Sequence, residues 1–136
     1  MIKPINRNPL SLSQKAQPAT KSDLAVGQDL QDTLAANSDR CVGMAANMIG
    51  VSKAIIIAQL GPFAVVMYNP QITAKTQPFQ TKEGCLSLDG ERATTRYKTI
   101  TVRYQDASFI WHTQQFADFP AQIIQHECDH LQGILI

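Results

Sequence analysis

The sequence has no long apolar run, no excess of charge of one sign, and few cysteines. No stretch of its 136 residues approaches the ~20 consecutive apolar residues of a membrane-spanning helix, so no membrane association is expected. Twelve Lys+Arg nearly balance eleven Asp+Glu, giving a formal net charge of +1, and nothing in that balance points to nucleic acid or an acidic membrane surface. The N-terminal MIKPINRNPLSLSQ carries Lys3 and Arg7 but lacks the apolar segment of a signal peptide, so the expected location is cytoplasmic. Three cysteines, Cys41, Cys85 and Cys128, form an odd set without an export signal, which argues against a disulfide framework. What is present is 44% hydrophobic residues in a length that suits a single domain over 1–136 with a real core.

Residues 1–20 hold Pro4, Pro9 and Pro18, show no period, and read as an extended arm. Thr20, Ser22 and Asp23 offer helix-start chemistry, and Val26, Leu30, Thr33 and Leu34 follow at helical spacing, so a helix is expected at about 21–37. Gly27 weakens its middle by ~1 kcal/mol relative to alanine. The β-branched run AIIIAQL (54–60), a turn at Gly61-Pro62 and FAVVMYNP (63–70) read as a buried hairpin. Further strands are expected at 75–79, 99–104 and 109–116; in the second, Ile100, Val102 and Tyr104 share a face. Asp118 is expected to cap a final helix with Pro120 in its first turn and an end near Gly133. The order helix, antiparallel strands, helix gives an α+β class.

The final helix carries H-E-x-x-H: His126, Glu127 and His130. Histidines four apart lie on one helix face and can hold one ion between them. Glu127 then sits beside the ion, placed to take a proton from water there. A lone histidine is more often a satisfied local hydrogen bond, but two of the chain's three flank this glutamate. Nothing after His130 ligates metal well, so the third ligand must lie upstream: Cys41, Cys85, His112 or a carboxylate. Cys128 is about 200° round the helix from the ion and reads as a core contact. Cys85 stands out because Gly84 before it permits a tight turn, which would present both the sulfur and a neighbouring backbone N–H to a cleft. Three protein ligands with an open position is the pattern of a catalytic rather than a structural ion.

E-G-C-L-S at 83–87 and Q-H-E-C-D-H-L-Q-G at 125–133 closely resemble the peptide deformylases, metalloenzymes that remove the formyl group from N-terminal formylmethionine. Their first motif, G-x-G-L-A-A-x-Q-[IV]-G, has a counterpart in CVGMAANMIG at 41–50. The resemblance implies antiparallel β-sheets packed around a central C-terminal helix that carries HExxH. It implies that Cys85, His126 and His130 ligate the metal, that Glu127 is general base and then acid, and that the N–H of Leu86 steadies the oxyanion. It places Gly43 along the substrate backbone and Met48 where the family's substrate-binding glutamine stands. The implied cofactor is one divalent ion, Fe²⁺ natively, with Zn²⁺, Ni²⁺ or Co²⁺ able to substitute. The implied partners are N-formylmethionyl peptides of nascent chains at the ribosome. Arg92 and Arg96 follow the cysteine block, as arginines do in the family, but read more simply as exposed and solvated. Asp129 or a backbone carbonyl is a candidate to hold a ligand histidine in its tautomer.

Two departures bear on activity. Met48 cannot donate a hydrogen bond, and losing one oxyanion donor typically costs ~10²–10³ in rate. Asn47 could replace it only if the backbone slipped by one residue. Cys41 replaces a glycine and would be strained if that position required positive φ. The alternatives to an active deformylase are therefore a metal-binding relative with weak, altered or no activity, or an enzyme for another N-acyl substrate. A general zinc protease is disfavoured by the lack of a ligand downstream of His130.

Overall fold

The isoleucine run at 55–57 does not alternate because both of its faces are covered. In the computed structural model, which describes Met1–Ile136, Ile55, Ile56 and Ile57 are all fully buried. Five strands form one antiparallel sheet in chain order: β1 (Gly43–Ala45), β2 (Ile55–Leu60), β3 (Phe63–Cys85), β4 (Leu88–Gln105) and β5 (Trp111–Ala117). On one face Ile56, Ala58, Met67, Ile100 and Val102 pack with Ile123 and Ile124 of α3 (Asp118–Leu131). On the other, Met44, Ile55, Ile57 and Tyr68 pack with Leu30 and Leu34 of a helix at Leu24–Ala36. The class is α+β, as expected, with the motif-bearing helix laid across the sheet.

The first long helix is α2; α1 is a single turn in the N-terminal arm, Pro9–Leu12, capped by the Asn8 side chain. The arm is less free than its composition implied. Leu12 is fully buried, Gln17 bridges to Lys53, and the Ala16 N–H donates to Leu131 O at 2.8 Å. The expected helix at about 21–37 begins as a 3₁₀ turn, Lys21–Asp23, with the Thr20 N–H donating to Asp23 Oδ2 at 2.8 Å. Gly27 is a matter of space: a Cβ there would lie 1.9 Å from the Tyr68 hydroxyl.

The hairpin at Gly61-Pro62 is present, with Leu60 paired to Phe63. Expected strand 75–79 and strand 99–104 are parts of longer elements, since β3 and β4 pair, through register shifts at Tyr68/Gln71, Ile72/Ala74 and Gly84/Cys85, out to Cys85 and Leu88. Periodicity could not show this: Thr73 to Phe79 is mostly exposed, so no apolar face marks the stretch. Ile100, Val102 and Tyr104 are buried together on one face. Asp118 does not cap α3, contrary to expectation. Ala117 occupies the cap position and Asp118 sits in the first turn at φ 58°. No helix is long and apolar enough to cross a membrane.

At its far end α3 closes in a Schellman motif: Gly133 N–H donates to His130 O and Ile134 N–H to Asp129 O, both at 3.0 Å. Gly133 has φ 78°, and a Cβ there would meet Ser13 O of the arm at 2.3 Å. Gly133→Ala therefore combines left-handed strain with a backbone clash and is expected to destabilise the protein by about 1–3 kcal/mol. Urea unfolding of the variant against wild type measures it; a change under about 0.5 kcal/mol, the scale of an ordinary surface substitution, would contradict this account.

Candidate metal centre

Cys85 ends β3 at an irregularity. Gly84 pairs with Glu91, but Cys85 pairs with Leu88, so the register shifts between them and Leu86 and Ser87 form the tip. Such bulges re-aim side chains beside functional sites. On α3, His126, Glu127 and His130 are all buried, and His130 fully so. The ligand atoms of Cys85, His126 and His130 lie within 4.8 Å of one another and could hold a metal ion. Neither of the other upstream candidates joins them. His112 is on β5, half-exposed, with Nε2 2.6 Å from Asp106 Oδ2. Cys41 lines the neighbouring cleft without entering the set. Cys128 packs against the core, where burial pushes its thiol up to about 12.

The donor set fits a cation. The Nε2 atoms of His126 and His130 face each other at 3.2 Å, close enough for one ring N–H to donate to the other and placed so that both nitrogens can turn to one ion. Burial lowers the pKa of both rings. At His126 the Cys85 sulfur and the Glu83 carboxylate outweigh it and raise the value to about 10. At His130 burial prevails, reinforced by the His126 charge, and drives it to about 3, leaving a neutral imidazole suited to ligation. The anions that favour a proton on His126 would equally favour a metal. His130 Nδ1 and Glu127 Oε1 are buried without a hydrogen-bond partner. Burial pushes the Glu127 carboxyl up to about 7.

The residue that orients His126 is not Asp129 but Glu83, whose Oε1 is 2.8 Å from His126 Nδ1. Asp129 instead accepts from Arg96 Nη1 at 2.7 Å. Arg96 is not solvated as expected; it is 3% exposed and grips Glu83 through Nε at 3.0 Å and Nη2 at 2.7 Å. Gln122 Nε2 adds a bond to Glu83 Oε2 at 2.8 Å. Burial alone would raise the Glu83 carboxyl, but His126, Arg96 and Gln122 hold it at about 2. Glu83 was detectable in principle: it lies two residues from Cys85 on a strand, hence on the same face.

The centre opens into a cleft of about 610 Å³ walled by Gly43, Met48, Cys85, Leu86, His126 and Glu127 among others. Gly43 is needed where it stands, since a Cβ would meet Ile123 Cγ2 at 2.7 Å and Glu127 Oε2 at 3.0 Å. Met48 is 1% exposed, and its Sδ accepts from the Ala45 N–H at 3.5 Å. Asn47 faces away and donates to His130 O at 2.9 Å, so it does not stand in for a missing donor. Cys41 has none of the expected strain, because its φ is not positive. Its thiol donates to Gly43 O at 2.8 Å and is pushed up to about 12 by burial and the nearby Glu127. Sequence reasoning gave no role to Arg7, whose Nη1 donates to Leu86 O at 3.2 Å and whose Nη2 pairs with Asp89 at 2.5 Å.

Arg96→Ala leaves the buried Glu83 carboxylate without its main cation, and an expected loss of about 3–5 kcal/mol follows. Glu83 has a folded value of about 2 against an ordinary 4.5. Its contribution to stability is complete above the ordinary value and is lost as pH falls through the folded one. Stability of Glu83→Gln should accordingly fall less steeply than wild type between about pH 5 and 2. Denaturant titrations at several pH values check both; parallel pH curves would refute the second.

A family model described as polypeptide deformylase matches residues 2–136. A peptide deformylase of Clostridium beijerinckii is 54% identical over 136 residues, covering all of both chains. Peptide deformylase 1 of Nitrosomonas europaea is 36% identical, over 99% of this chain and 85% of its own. Among solved structures, a class I type b peptide deformylase from Acinetobacter baumannii bound to K1U superposes with a TM-score of 0.89 at 30% identity, covering 99% of this chain and 96% of that one. The same enzyme bound to Met-Ala-Ser gives 0.89 at 29%, covering 99% and 97%. The register-shifted cysteine, the paired histidines and the glutamate are thus set in a fold and a sequence shared along the whole chain, and the chain belongs to the polypeptide deformylase family of enzymes.

Proposed function

We propose that residues 1–136 act as one domain that hydrolyses the formyl group from N-formylmethionyl peptides, with Cys85, His126 and His130 as metal ligands. The observation that carries this is the convergence of those three donors within 4.8 Å, beside a glutamate with an unpartnered oxygen. The proposed native ion is Fe²⁺, with Zn²⁺, Ni²⁺ or Co²⁺ substituting; a thiolate with two imidazoles suits this borderline range. When bound, the ion supplies Lewis acidity that makes water nucleophilic near neutral pH.

The protein's own groups do the rest. Glu127 takes a proton from the attacking water and returns it to the leaving amine, so water and formamide become formate and a free N-terminus. A carboxyl that burial brings to about 7 suits both halves of that exchange. The Leu86 N–H, at the tip beyond Cys85, donates to the developing oxyanion. Glu83 fixes His126, leaving Nε2 free to face the ion. β1 is an edge strand, and a peptide laid along Gly43 would extend the sheet. The relative from Acinetobacter baumannii bound to Met-Ala-Ser supports this peptide class. The substrates are nascent chains, met in the cytoplasm as they leave the ribosome.

Met48 favours a second reading, in which turnover is weak. Its thioether accepts the Ala45 N–H and offers the oxyanion nothing, and Asn47 is committed elsewhere. The test is anaerobic hydrolysis of formyl-Met-Ala-Ser by protein loaded with Fe²⁺ or Ni²⁺. Glu127→Ala should lose about 10²–10⁴ in kcat. Met48→Gln should gain, by up to ~10² if the amide reaches the oxyanion. Chelation should abolish turnover and re-addition of the ion restore it. Metal-loaded wild type and Met48→Gln both inert would sink the substrate assignment.

A further inference from the structure

The outer edge of β1 carries two sulfur contacts, and both come from residues that depart from the family motif. Gln59 N–H donates to Val42 O at 2.8 Å, which marks Val42–Gln59 as a bonded pair. Antiparallel pairs alternate between bonded and non-bonded positions. In the register Gly43↔Ala58, Met44↔Ile57, Ala45↔Ile56, Met44 therefore bonds towards β2, while Gly43 and Ala45 turn their N–H and C=O outward. Two of those outward groups are met by sulfur: the Cys41 thiol donates to Gly43 O at 2.8 Å, and Met48 Sδ accepts from Ala45 N–H at 3.5 Å. Both residues line the cleft.

We propose that Cys41 is a positioning residue whose thiol caps the Gly43 carbonyl and competes with a substrate backbone N–H for it, so that peptide affinity is set at this contact. The inference rests on the deformylase reading above. Gly43 has little room to shift toward α3, where even an added Cβ would meet Ile123 and Glu127. The cap acts by occupying the carbonyl. A thiol is a weak donor, so the peptide displaces it at modest cost. Unlike Met48, which stands where the family's oxyanion glutamine would be, Cys41 contacts a carbonyl of the strand edge.

Cys41→Ala and Cys41→Ser separate the possibilities, with thermal unfolding confirming that each variant folds. Kinetics with formyl-Met-Ala-Ser and equilibrium binding of the product Met-Ala-Ser are measured on metal-loaded protein. Removing the cap in Cys41→Ala should lower KM and the Kd for Met-Ala-Ser by about two- to tenfold, the scale of one ordinary hydrogen bond, and leave kcat within about twofold. Cys41→Ser keeps a donor and should show no such gain. An unchanged or raised KM and Kd in Cys41→Ala overturns the proposal, as does a change confined to kcat, or failure of Met-Ala-Ser to bind either form. If no form hydrolyses the formyl peptide and Met48→Gln is inert as well, the deformylase reading fails, and tighter Met-Ala-Ser binding by Cys41→Ala would still support the cap.

Discussion

The Glu83 carboxylate is the point on which the site depends. It accepts from His126, Arg96 and Gln122 at once, joining β3, β4 and α3 where the carboxylate itself is largely buried. A carboxylate there would be strongly unfavourable alone; with two cationic or donor neighbours and an amide it becomes a rigid node. It aims the His126 ring, and through Arg96 it reaches Asp129, one residue before His130. The angle between the sheet end that bears Cys85 and the helix that bears both histidines is therefore held by hydrogen bonds behind the ligands as well as by apolar packing.

Much of this was legible in the sequence. The 3.6-residue spacing placed His126 and His130 on one face, and the cysteine after Gly84 was singled out from its setting. The buried isoleucine strand, the Gly61-Pro62 turn and the shared face of Ile100, Val102 and Tyr104 also appear as read. The misreadings have a common cause. Arg96 looked like a surface residue, and Asp129 like the partner of a ligand histidine, because a charged side chain carries no sign of its partner in another element. The length of β3 and β4 was hidden because their outer part has no buried face. Asp118 looked like a cap because local preference was weighed without the backbone path that brings β5 directly into α3.

Sulfur does three different jobs within one cleft. Cys85 stands with the two histidines, Cys41 stays protonated against a carbonyl, and Met48 fills the apolar floor while accepting an N–H. Environment separates the roles. Cys85 faces the paired imidazoles across the register shift, whereas burial near Glu127 keeps the Cys41 proton in place. The departures from the family motif thus leave the HExxH helix untouched and fall on the strand edge opposite it.

The N-terminal arm gives the cleft a property of its own. Asn6 N–H donates to Met48 O, and the Asn6 amide donates to Asn47 O, while Arg7 holds Leu86 O and Asp89. Two consecutive residues thereby act as a spacer bar between opposite walls. None of the metal-facing side chains belongs to that bar. The arm thereby ties Met48 and Leu86 together from outside the metal centre, so a change of sequence at Asn6 or Arg7 acts on both through their backbones.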